Sequence, residues 1–195
     1  MPDDADINER FRRSQPFTRP ELSVLLAYAK LSLYQELLDG GKPECDPARR
    51  DRMDISVLLY TSGTTGRSKG AMLTCGNLLA NAAALASAWC IQDFDRLVHV
   101  LPLFHVHGLF LSLNAMFHSG ASVRIHRRFE PAEALAALGT ASVFMGVPTH
   151  YTRLLASPAL TAEAVRGVRL FVSGSAPLLA ETHREFENRT GKAIL

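Results

Sequence analysis

The chain carries Tyr60-Thr61-Ser62-Gly63-Thr64-Thr65-Gly66-Arg67-Ser68-Lys69-Gly70 directly after the apolar run Ile55–Leu59. A loop of this composition offers backbone N–H groups, hydroxyl donors and one ammonium group to a single anion, and its glycines let the backbone come close to that anion. The spacing differs from the common phosphate loop G-x-x-x-x-G-K-[ST], because Lys69 lies six residues after Gly63 and is followed by Gly70. The pattern therefore favours a polyphosphate site of another kind than that of kinases and GTPases.

This loop resembles the phosphate-binding signature of the adenylate-forming superfamily, which includes acyl-CoA synthetases, firefly luciferase and peptide-synthetase adenylation domains. The alternative is an ordinary strand-to-turn connection rich in Gly, Ser and Thr. The resemblance implies that ATP is bound through its β- and γ-phosphates, with Mg²⁺ on the phosphates and Lys69 as a point charge. The residues it implies for the phosphates are Thr61, Ser62, Gly63, Thr64, Thr65 and Gly66.

The reaction that the resemblance implies has two steps. A carboxylate attacks the α-phosphate of ATP to give an acyl-adenylate and pyrophosphate, and the thiol of coenzyme A then displaces AMP. Carboxylate and ATP are both anions, so such catalysis depends largely on positioning and charge neutralisation.

A second motif, Leu101-Pro102-Leu103-Phe104-His105-Val106-His107-Gly108-Leu109-Phe110, is similar to the Pro-Leu-Phe-His motif of acyl-CoA synthetases. The similarity implies that His105 is a wall and gate of the acyl pocket, with His107 beside it. Two histidines at i and i+2 also raise the alternatives of a metal site or of plain packed side chains. A metal site is disfavoured because no cysteine or carboxylate is near in the sequence, and we predict no metal-binding residues.

Two further segments extend the resemblance. The turn Ser173-Gly174-Ser175-Ala176-Pro177 resembles the superfamily's adenine loop, which borders the base and the acyl group. The segment Met145–Leu155, together with the other motifs, looks most like the malonyl-CoA synthetases. Malonate carries a second carboxylate, and Arg153 is the candidate to bind it through a bidentate fork; the alternative is a solvated helix arginine. Arg127 and Arg128 are weaker candidates in a loop.

Composition restricts the class of protein. Of the 195 residues 47% are hydrophobic, which indicates a folded interior. A net charge of +2 with scattered basic residues disfavours nucleic acid as a partner. Three cysteines without a C-x-x-C pair indicate free thiols. The acidic N-terminus lacks the apolar region of a signal peptide, and no apolar run is long enough to span a bilayer, so we expect a cytoplasmic protein without a membrane partner.

From Ile55 onward short apolar runs alternate with helical patterns, which predicts an α/β fold with a mainly parallel sheet flanked by helices. The predicted strands are Ile55–Tyr60, Leu97–Leu101, Ser122–Ile125, Ser142–Met145 and Leu170–Val172. The predicted helices are Gly76–Trp89, Leu109–Phe117, Pro131–Leu138, Thr149–Ala156 and Leu178–Arg189.

The first fifty residues have a different pattern. A helix is predicted from Thr18 to the glycine pair Gly40-Gly41, followed by a charged, proline-containing linker from Lys42 to Arg52. Residues 7–40 resemble a segment of the large NAD-specific glutamate dehydrogenases, without a cofactor or catalytic motif. We therefore predict two parts: residues 1–50, foreign to the enzyme fold, and residues 51–195, a partial slice of the adenylate-forming N-terminal domain.

The resemblance also implies elements that the sequence does not contain. In the family, a strand like the one beginning at Lys192–Leu195 leads into a Tyr-Gly-x-Thr-Glu motif whose Glu holds Mg²⁺. A ribose-binding Asp and a small domain with the catalytic Lys follow it. The main hypothesis is thus an AMP-forming acid–CoA ligase for malonate or a related small acid, inactive as an isolated chain. The alternative is a non-catalytic truncated or fused product with at most a binding role. A peptide-synthetase adenylation domain is disfavoured, because those sites usually hold an Asp for the substrate amine.

Overall fold

The computed structural model describes residues 51–61 and 69–195. All of these residues belong to one compact unit, residues 50–195. The predicted N-terminal helix and the phosphate-loop residues Ser62 to Gly66 lie outside the described residues, as does the side chain of Thr61.

The described residues form six strands, five α-helices and one π-helical segment. The strands are β1 (Ile55–Thr61), β2 (Lys69–Thr74), β3 (Arg96–His99), β4 (Ser122–Ile125), β5 (Val143–Gly146) and β6 (Leu170–Ser173). The α-helices are α1 (Cys75–Ala88), α2 (Asn114–His118), α3 (Pro131–Leu138), α4 (Pro148–Leu155) and α5 (Ala180–Thr190). The π segment, His107–Leu113, runs directly into α2.

The central sheet has four parallel strands in the order β4-β3-β5-β6. Successive side chains of a strand point to opposite faces, and both faces of this sheet are covered. One face carries Val98, Phe144 and Phe171, which pack with residues of α3, α4 and α5. The other face carries Leu97, Val143, Met145, Leu170 and Val172, which pack with residues of α1 and α2. This three-layer arrangement explains why the strands read as nearly continuous apolar runs and confirms the predicted α/β class with a parallel sheet.

The first strand is a correction to the sequence analysis. Ile55–Tyr60 was expected in the parallel sheet, whereas β1 pairs antiparallel with β2, a strand that the sequence analysis did not identify, in a separate two-stranded sheet. Only seven residues separate β1 from β2, and a parallel neighbour would need a crossover of a dozen or more. Apolar side chains of this ribbon are exposed, among them Ile55, Tyr60 and Met72.

The predicted helix Leu109–Phe117 also differs in type from the observed one. The observed helical stretch begins two residues earlier, at His107, and its first seven residues form the π segment rather than an α-helix. Within this segment the Ser112 hydroxyl donates to the carbonyl oxygen of His107 at 2.8 Å, a span of five residues. Gly108 is required here, since a Cβ at this position would lie 2.3 Å from the carbonyl oxygen of Pro102. Such π segments occur frequently at functional sites.

The remaining boundaries agree with the sequence within two residues, and β4 and α3 have the predicted bounds. Close to the last residue, Ile194 forms a parallel β-bridge with Phe171 of β6, in agreement with the strand expected to begin there. None of the helices within residues 51–61 and 69–195 has the length and apolar character needed to cross a membrane.

Candidate active site

The candidate site lies at the carboxyl ends of the parallel strands. The connection after β3 leads to β4 on one side, whereas the connection after β5 leads to β6 on the other side. In open parallel sheets, ligands bind outside the carboxyl ends of the strands where the connections diverge in this way. The loops that follow β3, β5 and β6 meet at this point.

These loops enclose a pocket of ≈ 460 Å³. Its lining residues are Leu101, Pro102, His105, Val106, His107, Gly108, Val147, His150 and Ser175. The pocket thus joins three segments that are distant in the sequence: the Pro-Leu-Phe-His motif, the turn after β5 and the Ser-Gly-Ser-Ala-Pro turn. The lining is apolar except for three imidazole rings and one hydroxyl group.

His107 and the turn after β6 are in direct contact. The Nδ1 atom of His107 lies 3.2 Å from the Ser175 hydroxyl oxygen, and the ring packs against Gly174, where a Cβ would lie 2.8 Å from Cε1. Only glycine permits this approach. Ser175 has a left-handed backbone with φ of 69°, and the Gly174 N–H donates to the Gly146 carbonyl oxygen at 3.1 Å. The turn is thereby fixed against both β5 and the π segment.

Two histidines of the pocket, His107 and His150, are held in their neutral form. Burial lowers the pKa of the His107 imidazole below its usual value. The pKa of His150 falls to about 4, first because of burial and then because of the charges of Arg153 and His107. At neutral pH the rings of His107 and His150 therefore present one N–H donor and one acceptor nitrogen each, without positive charge.

His150 is the site residue that the sequence analysis missed. It occupies the third position of α4, its ring stacks on Phe129 with centroids 4.2 Å apart, and its Nδ1 accepts a hydrogen bond from the Val147 N–H at 3.4 Å. The available signal was the Val147-Pro148 step directly after an apolar run. This step predicts a helix start at the carboxyl end of a strand and so brings the first turn to the sheet edge.

Arg153 lies on the same helix but is not among the residues that line the pocket. Its guanidinium carbon lies 4.9 Å from the centroid of Phe129, the ring on which His150 stacks, and the residue is exposed. Its role as ligand of a second carboxylate stays a prediction. The weaker candidates Arg127 and Arg128 are exposed as well, and Arg128 pairs with Glu130 at 3.2 Å.

The other predicted residues that the structure describes do not line this pocket. Ser173 ends β6, and its N–H donates to the Leu195 carbonyl oxygen at 2.8 Å. Ala176 and Pro177 are exposed and do not line the pocket. Lys69 is exposed at the start of β2, opposite Thr61 in the ribbon. Within the described part of the chain, no group of three or more His, Cys, Asp or Glu side chains could hold a metal ion.

A buried ion pair at the opposite edge of the sheet was also missed. Asp95 is fully buried and accepts from the guanidinium of Arg169 and, at 2.6 Å, from the Ser142 hydroxyl. Burial alone would raise the pKa of Asp95, but the hydrogen bonds from Arg169 and Ser142 lower it. Arg169 also donates to the carbonyl oxygens of Trp89 and Cys90. The amino ends of β3, β5 and β6 are thus joined by a structural network.

Known proteins resemble this chain in sequence. The sequence matches the family described as "AMP-binding enzyme" over residues 3–195. A long-chain-fatty-acid–CoA ligase of Bacillus subtilis is 36% identical over 158 residues, 78% of this chain and 27% of that protein.

Two solved structures are similar in fold as well as in sequence. The crystal structure of apo MatB from Rhodopseudomonas palustris has a TM-score of 0.78 and 44% identity, covering 82% of this chain and 32% of MatB. A malonyl-CoA ligase in a ternary product complex with methylmalonyl-CoA and AMP has a TM-score of 0.67 and 42% identity, covering 74% of this chain and 32% of that one. The chain spans about a quarter of the length of the curated relatives it matches.

Proposed function

This chain belongs to the AMP-binding enzyme family, and on that premise we propose that it is part of an AMP-forming acid–CoA ligase that acts on malonate or a related small acid. The activity is that of the complete fold, of which residues 51–195 supply the phosphate loop, the acyl pocket and the adenine turn. ATP, coenzyme A and a small carboxylic acid are its proposed substrates.

The observation that carries this proposal is the convergence of three loops on one pocket at the carboxyl edge of the sheet. His107 of the Pro-Leu-Phe-His motif and Ser175 of the Ser-Gly-Ser-Ala-Pro turn are 3.2 Å apart there. An acid-activating enzyme needs the acyl group and the adenylate side by side, and these two motifs are the ones that the resemblance associates with them. Malonyl-type ligases with 42–44% identity support the choice of acid.

The residues of this chain have distinct proposed tasks. Residues Thr61–Gly66 and Lys69 bind the ATP phosphates and neutralise their charge. His105 and His107 form the wall of the acyl pocket, and Arg153 pairs with the second carboxylate of a dicarboxylic acid. The backbone of residues 173–177 borders the adenine. Holding acid and ATP together lowers the entropic cost of the attack on the α-phosphate.

Mg²⁺ is expected on the phosphates, where it would neutralise charge. The described residues contain no cluster of donors for a metal ion, so we assign no residue and no step of this chain to Mg²⁺.

The proposal is tested by grafting residues 51–195 into MatB of Rhodopseudomonas palustris in place of its matching segment. We expect the graft to form malonyl-CoA from ATP, malonate and coenzyme A, with unaltered MatB as the control. A folded graft that binds ATP but forms no acyl-adenylate from any small acid would contradict the proposal. That result would favour the second hypothesis, a chain with at most a binding role.

A further inference from the structure

The two ring nitrogens of His150 lie in different surroundings. Its Nδ1 faces the backbone of the turn after β5, since it accepts from the Val147 N–H at 3.4 Å and lies 3.2 Å from where a Cβ on Gly146 would stand. The stack on Phe129 fixes the ring plane. The described residues give Nε2 no hydrogen-bond partner, and the ring is part of the pocket wall.

The contact at Nδ1 assigns the tautomer. A neutral imidazole has one donor nitrogen and one acceptor nitrogen. Because Nδ1 accepts the Val147 N–H, the proton is on Nε2. The ring edge that is left for the pocket therefore carries a neutral N–H donor, held in place by Phe129.

We propose that His150 determines acid specificity by donating its Nε2–H to the second carboxylate of the acid, the one that is not activated, which selects a short dicarboxylic acid over an acid with a purely apolar chain. This inference rests on the proposed function and goes further, because it assigns a substrate contact to a residue that has no predicted role from the sequence. An N–H without a partner in the pocket loses a hydrogen bond when an apolar chain replaces water there. The nearby charge of Arg153, which acts on His150, favours an anion at the same place.

The third residue of α1 shows which substitution of His150, the third residue of α4, can keep the hydrogen bond at the start of the helix. There Asn77 is the third residue, and its Oδ1 accepts from the N–H of the capping Thr74 at 3.1 Å. His150→Asn can therefore keep the hydrogen bond to Val147 while it removes the donor that reaches the pocket. His150→Phe keeps an aromatic ring for Phe129 and removes both nitrogens. His118→Asn, at an exposed histidine that does not line this pocket, is the control.

The experiment is a side-chain NMR titration of the 195-residue chain with malonate and, separately, with butanoate. We expect an Nε2-protonated, Nδ1-unprotonated spectrum for His150 and a shift of its Nε2–H signal with malonate. In His150→Asn, malonate binding should weaken roughly threefold to tenfold, the loss of one hydrogen bond. Butanoate binding should be unchanged, and His118→Asn should match the unaltered chain for both acids. Thermal melting of each variant separates a loss of malonate binding from a loss of folding. If His150→Phe does not fold, the result for His150→Asn alone tests the inference.

Four outcomes overturn the inference. They are an Nδ1-protonated His150, equal malonate affinity in His150→Asn and the unaltered chain, no malonate shift at any pocket histidine, and a malonate shift at His107 without one at His150. In the last case the acid pocket of the proposed function stands and only the role of His150 fails. If no pocket histidine responds to malonate, the inference fails, and the graft experiment then decides separately whether the proposed function fails with it.

Discussion

His150 is uncharged at neutral pH because the fold holds its pKa at about 4, below the ordinary value of 6.5. Above pH 6.5 the folded and unfolded states bind the same number of protons at this residue. Between 6.5 and 4 the unfolded state binds a proton that the folded state does not, so stability falls as pH is lowered through this range.

The lowered pKa of His150 predicts that the free energy of unfolding depends on pH differently in the unaltered chain and in His150→Asn. As pH is lowered from 6.5 toward 4, the unaltered chain should lose free energy of unfolding relative to the variant, because Asn does not titrate. Urea denaturation of both proteins at several pH values measures the difference. A difference that stays constant with pH would contradict the depressed pKa.

Arg153 gives a second prediction at this scale. In the MatB graft, Arg153→Ala should weaken malonate far more than acetate, because only malonate carries a second carboxylate. Arg153 is exposed in the described residues, and the prediction assumes that the rest of the graft buries its pair with malonate. Loss of such a buried charge-assisted pair costs roughly 2–5 kcal/mol, about thirtyfold or more in selectivity. Steady-state kinetics with both acids measure it.

Lys69→Ala is the comparison for Arg153, since its proposed partner is ATP, and it should impair both acids alike. Equal losses for malonate and acetate in Arg153→Ala would rule out Arg153 as the ligand of the second carboxylate. Its contact with Phe129 would then be its only assigned role.

At the scale of elements, Arg189 links α5 to the end of α4. Its guanidinium donates to the carbonyl oxygens of Leu155, Ser157 and Leu160 at 2.6, 2.7 and 2.9 Å. The carbonyl groups at the end of a helix have no partners within the helix, so Arg189 satisfies the carbonyl of Leu155, the last residue of α4. Its other two contacts hold the segment that follows α4.

Arg189→Ala should therefore destabilise the fold by about 1.5–3 kcal/mol, the range for hydrogen bonds to a charged group. Arg184→Ala, an exposed arginine on the same helix, is the control and should stay within about 0.5 kcal/mol. Chemical denaturation gives both values. Equal effects of the two substitutions would show that the three carbonyl contacts contribute little.

The elements also show how far the sequence could predict the structure. The bounds of α3 were predictable because Pro131 begins the helix and Gly139 follows its last residue. The pairing of β1 was not, since an apolar run does not identify its partner strand. The π segment depends on the contact of Gly108 with Pro102, which comes from the fold. In the site, His107 and Ser175 could be predicted because each lies in a motif that resembles the family. His150 lies in the segment Met145–Leu155 but has no assigned role there, and it is recognised only by its contacts.

On the scale of the whole unit, the two edges of the sheet differ in chemistry. At the amino edge the polar groups of Asp95, Ser142 and Arg169 form hydrogen bonds with one another. These bonds hold the amino ends of β3, β5 and β6 together. At the carboxyl edge the pocket keeps the polar atoms of His105, His107 and His150 at its wall. This division follows from parallel strands, which bring all their following loops to one edge.

The assignment of residues 1–50 to a foreign segment stays a prediction, and it has a direct test. If the segment is foreign, residues 51–195 alone should melt with the same cooperativity and nearly the same midpoint as the full chain. Calorimetry of the two proteins measures this. A large loss of cooperativity on deletion would show that the leucines of the predicted N-terminal helix belong to the core.

The final prediction concerns the activity of the 195-residue chain itself. These 195 residues span about a quarter of the length of the curated relatives they match, and the family resemblance implies a Tyr-Gly-x-Thr-Glu motif and a small domain with the catalytic lysine outside this span. The pocket and the turn after β6 are formed within it. We therefore expect acyl-adenylate and acyl-CoA formation at background level, while the MatB graft of the same residues is active. Pyrophosphate release with ATP and malonate measures the first step for both proteins, and a heat-denatured graft sets the background. Steady malonyl-CoA formation by the 195-residue chain would show that the acid, ATP and coenzyme A need only the groups that this chain supplies.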